Sequence, residues 1–465
     1  MSPILNDIHS GLNPTEVARV ERVRSIEDIQ ATLAAARREG VGVSVAGGFH
    51  AMGGQQLRTG GVLLDTRELN GILQLDRARG LVELEGGLRW PELMAWLEDE
   101  QGGDPSPWGI VQKQTGADRL SIGGSISANA HGRGLDMRPM VADVESMLVV
   151  GPDGEVRRCS REENAELFGL VIGGYGLFGV IAQVTLRLRP REKVERIVEE
   201  LALEELMPAF EGRIRDGFQY GDFQFSTDER SENFLRRGVF SCYRPVGPET
   251  PVPESQRELS EEDWKQLLFL AHNDKAAVYD AYVGYYLPTS GQVYYSDDHQ
   301  LAYYNDGYHR ELDRLMGAEH PASEVITEIY VPRDRLADFM AEAAEDFRAH
   351  GVDLIYGTTR LIRRDDESFL AWAREDYACV IFNLHTTHTD AGRAHSAAAF
   401  RRLIDMAIAR GGSYYLTYHR HATREQTVAC YPQFPEFLRR KRELDPDAVL
   451  TSDWHAHVER LLAGG

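Results

Sequence analysis

The sequence predicts an α+β protein of two domains, an α/β domain up to about residue 190 and an α+β domain with its own sheet beyond it. Three observations lead there. A chain of 465 residues exceeds what one hydrophobic core usually serves. Up to residue 190, short alternating strands, helices and glycine turns follow one another. From 191 on, longer amphipathic helices such as "RDRLADFMAEAAEDFRAHG" separate aromatic-rich strands such as "YGDFQFS", "VITEIYV", "CVIFNLHTTH" and "SYYLTYH".

Taken in order, "SIEDIQATLAAARREG" opens on an N-cap serine, Ser25, with Asp28 at the third helical position. Ile26, Ile29, Leu33 and Ala36 fall on one face, and Gly40 is the stop. In "VGVSVAGG" the alternation of Val41, Val43 and Val45 predicts a strand that runs into a glycine loop. "GVLLDTRELNGILQLD" and "GLVELEGGLRWPELMAWLEDE" each read as a short strand with turn signals, the second feeding a helix after Pro91. "SREENAELFGLVI" reads as a helix with Ser160 in a capping box, and "VIAQVTLRLRP" as the strand after it. The Pro- and Glu-rich "RPVGPETPVPESQRELSEED" is a surface loop inside the second domain.

The charge balance narrows the function. With 51 Lys and Arg against 73 Asp and Glu the net charge is −22, which argues against nucleic acid or an anionic membrane surface as the main partner. Cys159, Cys242, Cys379 and Cys430 lie far apart with no CxxC spacing, so neither a zinc set nor a disulfide framework is expected and a reducing cytoplasm fits best. No apolar run reaches spanning length, and "MSPILNDIHSGLNP" lacks a basic stretch followed by an apolar one, so a cytoplasmic protein without membrane association is expected.

Three glycine clusters fall within the first 180 residues: "AGGFHAMGG", "SIGGSISANAHGRG" and "GGYGLFG". The last has Gly174, Gly176 and Gly179 at GxGxxG spacing, but a helix precedes it and a strand follows, the reverse of a Rossmann turn. These glycines serve a different backbone approach.

In this order and spacing the clusters resemble the FAD-binding domain of the vanillyl alcohol oxidase superfamily, also called the p-cresol methylhydroxylase type. "VSVAGGFHAMGGQ" is similar to its first pyrophosphate loop, "VELEGGLRWPELMAWL" to the following strand and helix, "SIGGSISANAHGRG" to the second loop, and "IGGYGLFGVIAQVTLRL" to the closing segment. The tail "YPQFPEFLRRKRELDPDAVLTSDW" resembles the superfamily's C-terminal segment, most closely in decaprenylphosphoryl ribose oxidases and alditol oxidases. The resemblance implies a two-subdomain FAD-binding domain over residues 1–190, a substrate-binding cap on an antiparallel sheet over 191–420, and a segment 421–465 that returns to the FAD domain. A pyrophosphate is bound by backbone N–H groups in tight turns, for which Gly47, Gly48, Gly53, Gly54, Gly123 and Gly124 are candidates. Further cofactor contacts are implied for Phe49, Ala51, Gln55, Thr115, Gly116, Ser121, Asn129, Gly132, Gly179, Val180 and Ile181.

His50 occupies the position where many members bond a histidine nitrogen to the flavin, so covalent FAD through His50 is implied; the usual small residue plus His-Ser is here "GGFHAM". No cysteine lies in "TGADRLSIGG", so a second, cysteinyl linkage is not expected. His131 in "ANAHGRG" matches a histidine beside the flavin, in a structural or a redox-tuning role.

On the substrate side, alternation in "VITEIYVP" puts Ile326, Glu328 and Tyr330 on one face, and Glu328 corresponds to a substrate-facing position in related oxidases. "LIYGTTRLIRRDD" lays Arg360 on the active-site arginine of alditol and gulonolactone oxidases, although their preceding glutamate is here Thr358. Related sugar oxidases keep a lysine where this chain has Tyr418, whose phenol could donate a hydrogen bond or, with a depressed pKa, take a proton. Tyr415, His419 and His385 join it as substrate-pocket candidates. His385 and His388, three apart on a strand, fall on opposite faces, so no metal pair is expected. The implied activity is FAD-dependent oxidation of a sugar-like, polyol or other hydroxylated substrate by hydride transfer to flavin N5, with O2 or another acceptor reoxidising the flavin. A dehydrogenase, a carbon–carbon double-bond reductase of the same fold, and a non-catalytic ligand-binding module remain as alternatives.

Overall fold

The computed structural model describes residues 2–301 and 307–463, and begins with a short antiparallel ladder, β1 (Ile4–Leu5) on β2 (Thr15–Glu16). A parallel sheet follows, in order β3-β5-β4, from β3 (Arg19–Arg22), β4 (Val43–Ala46) and β5 (Val62–Asp65). Helix α1 (Ile26–Glu39) links its first two strands: Ser25 Oγ accepts from the Asp28 amide at 3.2 Å, and Gly40 ends the helix at φ 68°. Ile29, Leu33 and Ala36 are its buried face, against Val43, Val62 and Leu64. The α1 boundaries are those its cap and stop residues specify.

The second sheet is antiparallel and mixes distant segments: β6 (Ile72–Asp76), β7 (Leu81–Glu85), β8 (Trp108–Ile110), β9 (Val144–Val150), β10 (Val156–Ser160) and β11 (Val180–Pro190). Its order is β10-β9-β11-β7-β6, with β8 on the far end of β11. Helices α2 (Trp90–Glu100) and α3 (Ile122–Ser127) pack against this sheet, at β8 and β11. Ser160 turns out to end β10 rather than start a helix. Its hydroxyl accepts the Glu163 amide at 3.0 Å as a turn, and α4 (Ala165–Val171) begins after Asn164, which sits at φ 48°.

From residue 193 the strands form a third sheet, antiparallel throughout: β12 (Lys193–Ala202), β13 (Tyr220–Phe225), β14 (Arg237–Pro245), β15 (Val293–Tyr295), β16 (Ala322–Pro332), β17 (Leu354–Ile362), β18 (Tyr377–Thr387) and β19 (Ser413–Tyr414). The order is β15-β12-β14-β13-β17-β18-β16-β19. Glu328 pairs with Ile381, and Ile381 with Thr358, so Ile326, Glu328 and Tyr330 share a face with Arg360. The helices Leu336–His350 and Asp390–Ile408 pack on the opposite face.

The strand expected over "SYYLTYH" is cut to Ser413–Tyr414. After Tyr415 donates its N–H to Glu328 O, the chain leaves the sheet because other residues capture its carbonyls: Gln55 Nε2 donates to Leu416 O at 2.7 Å and Gly53 N to Thr417 O at 2.8 Å. Tyr418 therefore projects from a turn and not from a strand.

The C-terminal helices Arg424–Cys430, Phe434–Leu444 and Asp453–Ala463 bring the chain back to the parallel sheet, where Val43 N donates to Val449 O (2.7 Å) and Thr451 N to Val43 O (2.8 Å). Asp445 directs that return. Its carboxylate accepts the Val449 and Leu450 amides, both at 2.9 Å, and pairs with Lys441, and all of these groups are buried. No helix among the described residues is long and apolar enough to cross a membrane. Asp445→Asn should destabilise the protein by about 3 kcal/mol, because Lys441 is left charged, buried and unpaired. Thermal denaturation followed by circular dichroism measures it, and a loss under about 1 kcal/mol would mean that the amides alone hold the segment.

Candidate cofactor and active site

The loop after β4 and the loop before α3 touch each other directly. A Cβ on Gly47 would stand 2.0 Å from Ser121 Oγ, one on Gly48 2.6 Å from the Arg119 carbonyl, and one on Gly123 2.8 Å from Gly86 O. These glycines thus let two protein loops interlock, as well as opening backbone toward a ligand. Between them Phe49 takes φ 61°, a conformation costing a bulky residue on the order of 1–2 kcal/mol. Its ring is held among Ala46, Leu57 and Leu63, with the Arg67 guanidinium 5.0 Å above it. Among the described residues, no backbone amide from Gly48 to Met52 donates to a protein acceptor, and such a run of free N–H groups suits an anion.

The loops wall a cleft enclosing about 1330 Å3 including its open mouth, and its other side is closed by Ile326, Glu328 and Arg360 of the third sheet and by Tyr415 and Tyr418 just after β19. His50 lies on the wall. Its Nδ1 is 2.7 Å from His9 Nε2, while its Nε2 is buried beside the Arg119 carbonyl without a hydrogen bond. Burial first, and then His9, push the His50 pKa down to about 3, so the ring is neutral at physiological pH and one nitrogen keeps its lone pair.

His131 Nε2 meets Glu328 Oε1 at 2.5 Å, with both side chains buried. His131 Nδ1 sits 2.9 Å from Gly132 O and must donate to it, since a carbonyl only accepts. Nε2 of a neutral ring would then turn a lone pair on a carboxylate oxygen. The contact therefore contains one proton, shared by the two residues. Arg360 is 5% exposed and its Nε has no partner. The Tyr418 phenol is held well above its ordinary pKa, chiefly by burial and then by the Glu328 charge, which corrects the expectation of a proton-accepting phenol. It is a hydrogen-bond donor here.

Comparison with known proteins matches residues 17–160 to an FAD binding domain. Cytokinin dehydrogenase 4 of Oryza sativa subsp. japonica is 23% identical over 472 residues, covering 92% of this chain and 83% of its own, and decaprenylphosphoryl-beta-D-ribose oxidase of Mycolicibacterium smegmatis is 22% identical over 467 residues, covering 93% and 92%. The chain belongs to the p-cresol methylhydroxylase-type FAD-binding oxidoreductase superfamily. An oxidoreductase from the fasciation locus of Rhodococcoides fascians is 33% identical over 165 residues, which is 36% of each chain. The cleft fits the superfamily's cofactor. Its wall carries buried polar atoms without protein partners, among them His50 Nε2, Gln55 Oε1, both amide atoms of Gln56 and Arg360 Nε, next to the free amides of residues 48–52.

Of the expected site residues, Gly47, Gly48, Phe49, His50, Ala51, Gln55, Gly116, Ser121, Gly123, Gly124, His131, Gly179, Ile181, Glu328, Arg360, Tyr415 and Tyr418 line the cleft. The others stand back from it. Gly53 and Gly54 are turned into loop hydrogen bonds with Thr417 and Ala51. Thr115 stands between the lining residues Gln114 and Gly116 with its hydroxyl oxygen buried. Asn129 braces the second loop, donating to Asp365 at 2.8 Å and accepting the Val141 amide at 3.0 Å, and Gly132 packs on Lys113 O. Val180 points into the core behind the cleft. Tyr330 shares the Glu328 face, but Trp372 stacks on its ring at 4.5 Å and covers it. His419 faces the far side of the sheet, bonded to Thr327 Oγ1 and stacked on Phe400. His385 lies higher on that sheet, beside Glu324.

Sequence reasoning missed His9, Gln56, Gln114, Tyr175 and Thr417, which also line the cleft. Only His9 carried a signal, an Asp7-capped turn in "NDIHSG" that aims it at the glycine loop. Gly47→Ala drives a methyl into Ser121 and should cost about 1–3 kcal/mol and weaken flavin retention. Melting temperature and visible absorbance of the purified variant report both, and unchanged values would refute the interlock.

Proposed function

We propose that the chain oxidises a hydroxylated small molecule of the sugar or polyol class, with dioxygen as the final electron acceptor. The observation that carries this reading is the buried His131–Glu328 pair facing the cleft beside Arg360. Bound FAD supplies the acceptor for the carbon-bound hydrogen and two electrons of such an oxidation. The chain's own residues manage the remaining proton. Oε1 of Glu328 is committed to His131, so its second oxygen is the one left to accept the substrate's hydroxyl proton, and the imidazole offsets the charge of the carboxylate. Arg360 stabilises negative charge on the substrate oxygen, and Tyr418, kept protonated, orients that oxygen by donating to it. The match to a ribose oxidase along nearly the whole chain supports a hydroxylated substrate and an oxidase.

Glu328→Gln keeps the shape of the side chain and removes its basicity. Turnover of a screened polyol or aldose should fall by about 10²–10⁴ while the flavin spectrum persists. A change under threefold would remove Glu328 from the chemistry.

We further propose that His50 holds the cofactor covalently. Its support is a neutral imidazole on the cleft wall with Nε2 unengaged. Acid precipitation should leave yellow colour in the washed pellet of the parent protein and in the supernatant of His50→Ala. Colour in the parent's supernatant would leave the flavoprotein intact and end the histidyl assignment.

A further inference from the structure

Glu324 lies four residues before Glu328 on the same face of β16, about 13 Å away at the rise of a strand, and outside the FAD cleft. Three imidazoles from three other elements converge on its carboxylate. His272, in the helix Glu261–Asn273, places Nε2 2.7 Å from Oε1. His309, in the helix Tyr308–Met316, places Nδ1 2.9 Å from Oε2. His385, opposite Glu324 in the β16–β18 register, places Nδ1 3.5 Å from Oε1. The ligating atoms of His272, Glu324 and His385 all lie within 4.8 Å of one another.

Hydrogen bonding around the cluster turns ring nitrogens inward. His272 Nδ1 donates to the Leu268 carbonyl at 2.8 Å, which leaves Nε2 as the ring atom turned on Glu324. A backbone carbonyl on the outer nitrogen is also how proteins orient metal-bound histidines. His385 Nδ1 is buried without a hydrogen bond. The Tyr308 hydroxyl donates to Glu324 Oε2 beside His309, while Oε1 faces His272 and His385.

We propose that His272, Glu324 and His385 bind a divalent transition-metal ion of the zinc class. Two imidazoles and a carboxylate match the ligand preference of that class, and their ligating atoms are close enough together for one ion to reach all three. Three protein ligands leave the ion's fourth position to a water molecule. The ion joins the helix Glu261–Asn273, in the excursion between β14 and β16, to the sheet, fixing it over the face that also carries Glu328. The assignment stands independently of the reaction proposed for the cleft. It also departs from the sequence-based expectation of no metal, since residues as far apart as 272 and 385 form no spacing motif.

The test is zinc titration of the untagged full-length protein after chelator treatment, by calorimetry, with metal content measured after dialysis. One equivalent should bind with a dissociation constant of micromolar or tighter and raise the melting temperature. Glu324→Gln and His385→Gln should each weaken binding at least 100-fold and abolish the thermal shift. His385 is partly exposed, so its variant supplies the answer should the buried Glu324 change compromise folding, which circular dichroism reports. Absence of saturable binding to the parent protein overturns the proposal. Retention of parent-like binding by a folded variant overturns it equally.

Discussion

A buried ionisable pair cannot be separated without stranding charge, and here one such pair spans the cleft. His131 comes from the glycine-rich loop after α3, and Glu328 from β16, one strand in from the edge of the third sheet. Splitting them would leave a carboxylate or an imidazolium in apolar surroundings, a penalty of several kcal/mol. The bond therefore fixes how the sheet lies over the loops. Tyr415 adds to it by donating its hydroxyl to Ala128 O at 2.7 Å, and Gln55 and Gly53 reach back to the turn that carries Tyr418. The cleft's two walls are held by the residues that face into it.

Behind that clamp stands a second constraint, the contact of two backbones. Gly47 and Ser121 come too close for any side chain at the former, and the strained Phe49 is kept in place by apolar neighbours and Arg67. The local cost is returned as a row of unengaged amides and a histidine whose burial keeps it neutral. Fold and cofactor chemistry are here consequences of the same few contacts.

What could be read from the sequence was what short spacing encodes. Caps, glycine clusters and strand alternation placed α1 and the two loops, because each depends on neighbours within a few residues, and the family resemblance that those clusters carry pointed to His50, His131, Glu328 and Arg360. Long-range capture escaped. Nothing in "SYYLTYH" tells that Gly53 and Gln55 will pull its second half out of the sheet, or that this burial raises the Tyr418 pKa. Alternation correctly put Tyr330 beside Glu328, yet only the fold brings Trp372 over it. His419 failed for a related reason. Once the chain leaves the sheet, strand periodicity no longer says which way a side chain points, and this one finds Thr327.

The pairing of β16 has a consequence for how such a protein can change over generations. The strand is laddered to β18 along all eleven of its residues, and at its far end to β19, so its register is fixed from both sides. A side chain on it has two addresses, the cleft face or the helix-covered face, and a shift of one residue exchanges them all. Deleting a single residue ahead of Ile326 would aim Thr327 or Ile329 at the cleft and press Glu328 into the helices behind. New chemistry on this face is therefore reached by replacing residues 324, 326, 328 or 330 in place, while changes of length are confined to the loops at its ends.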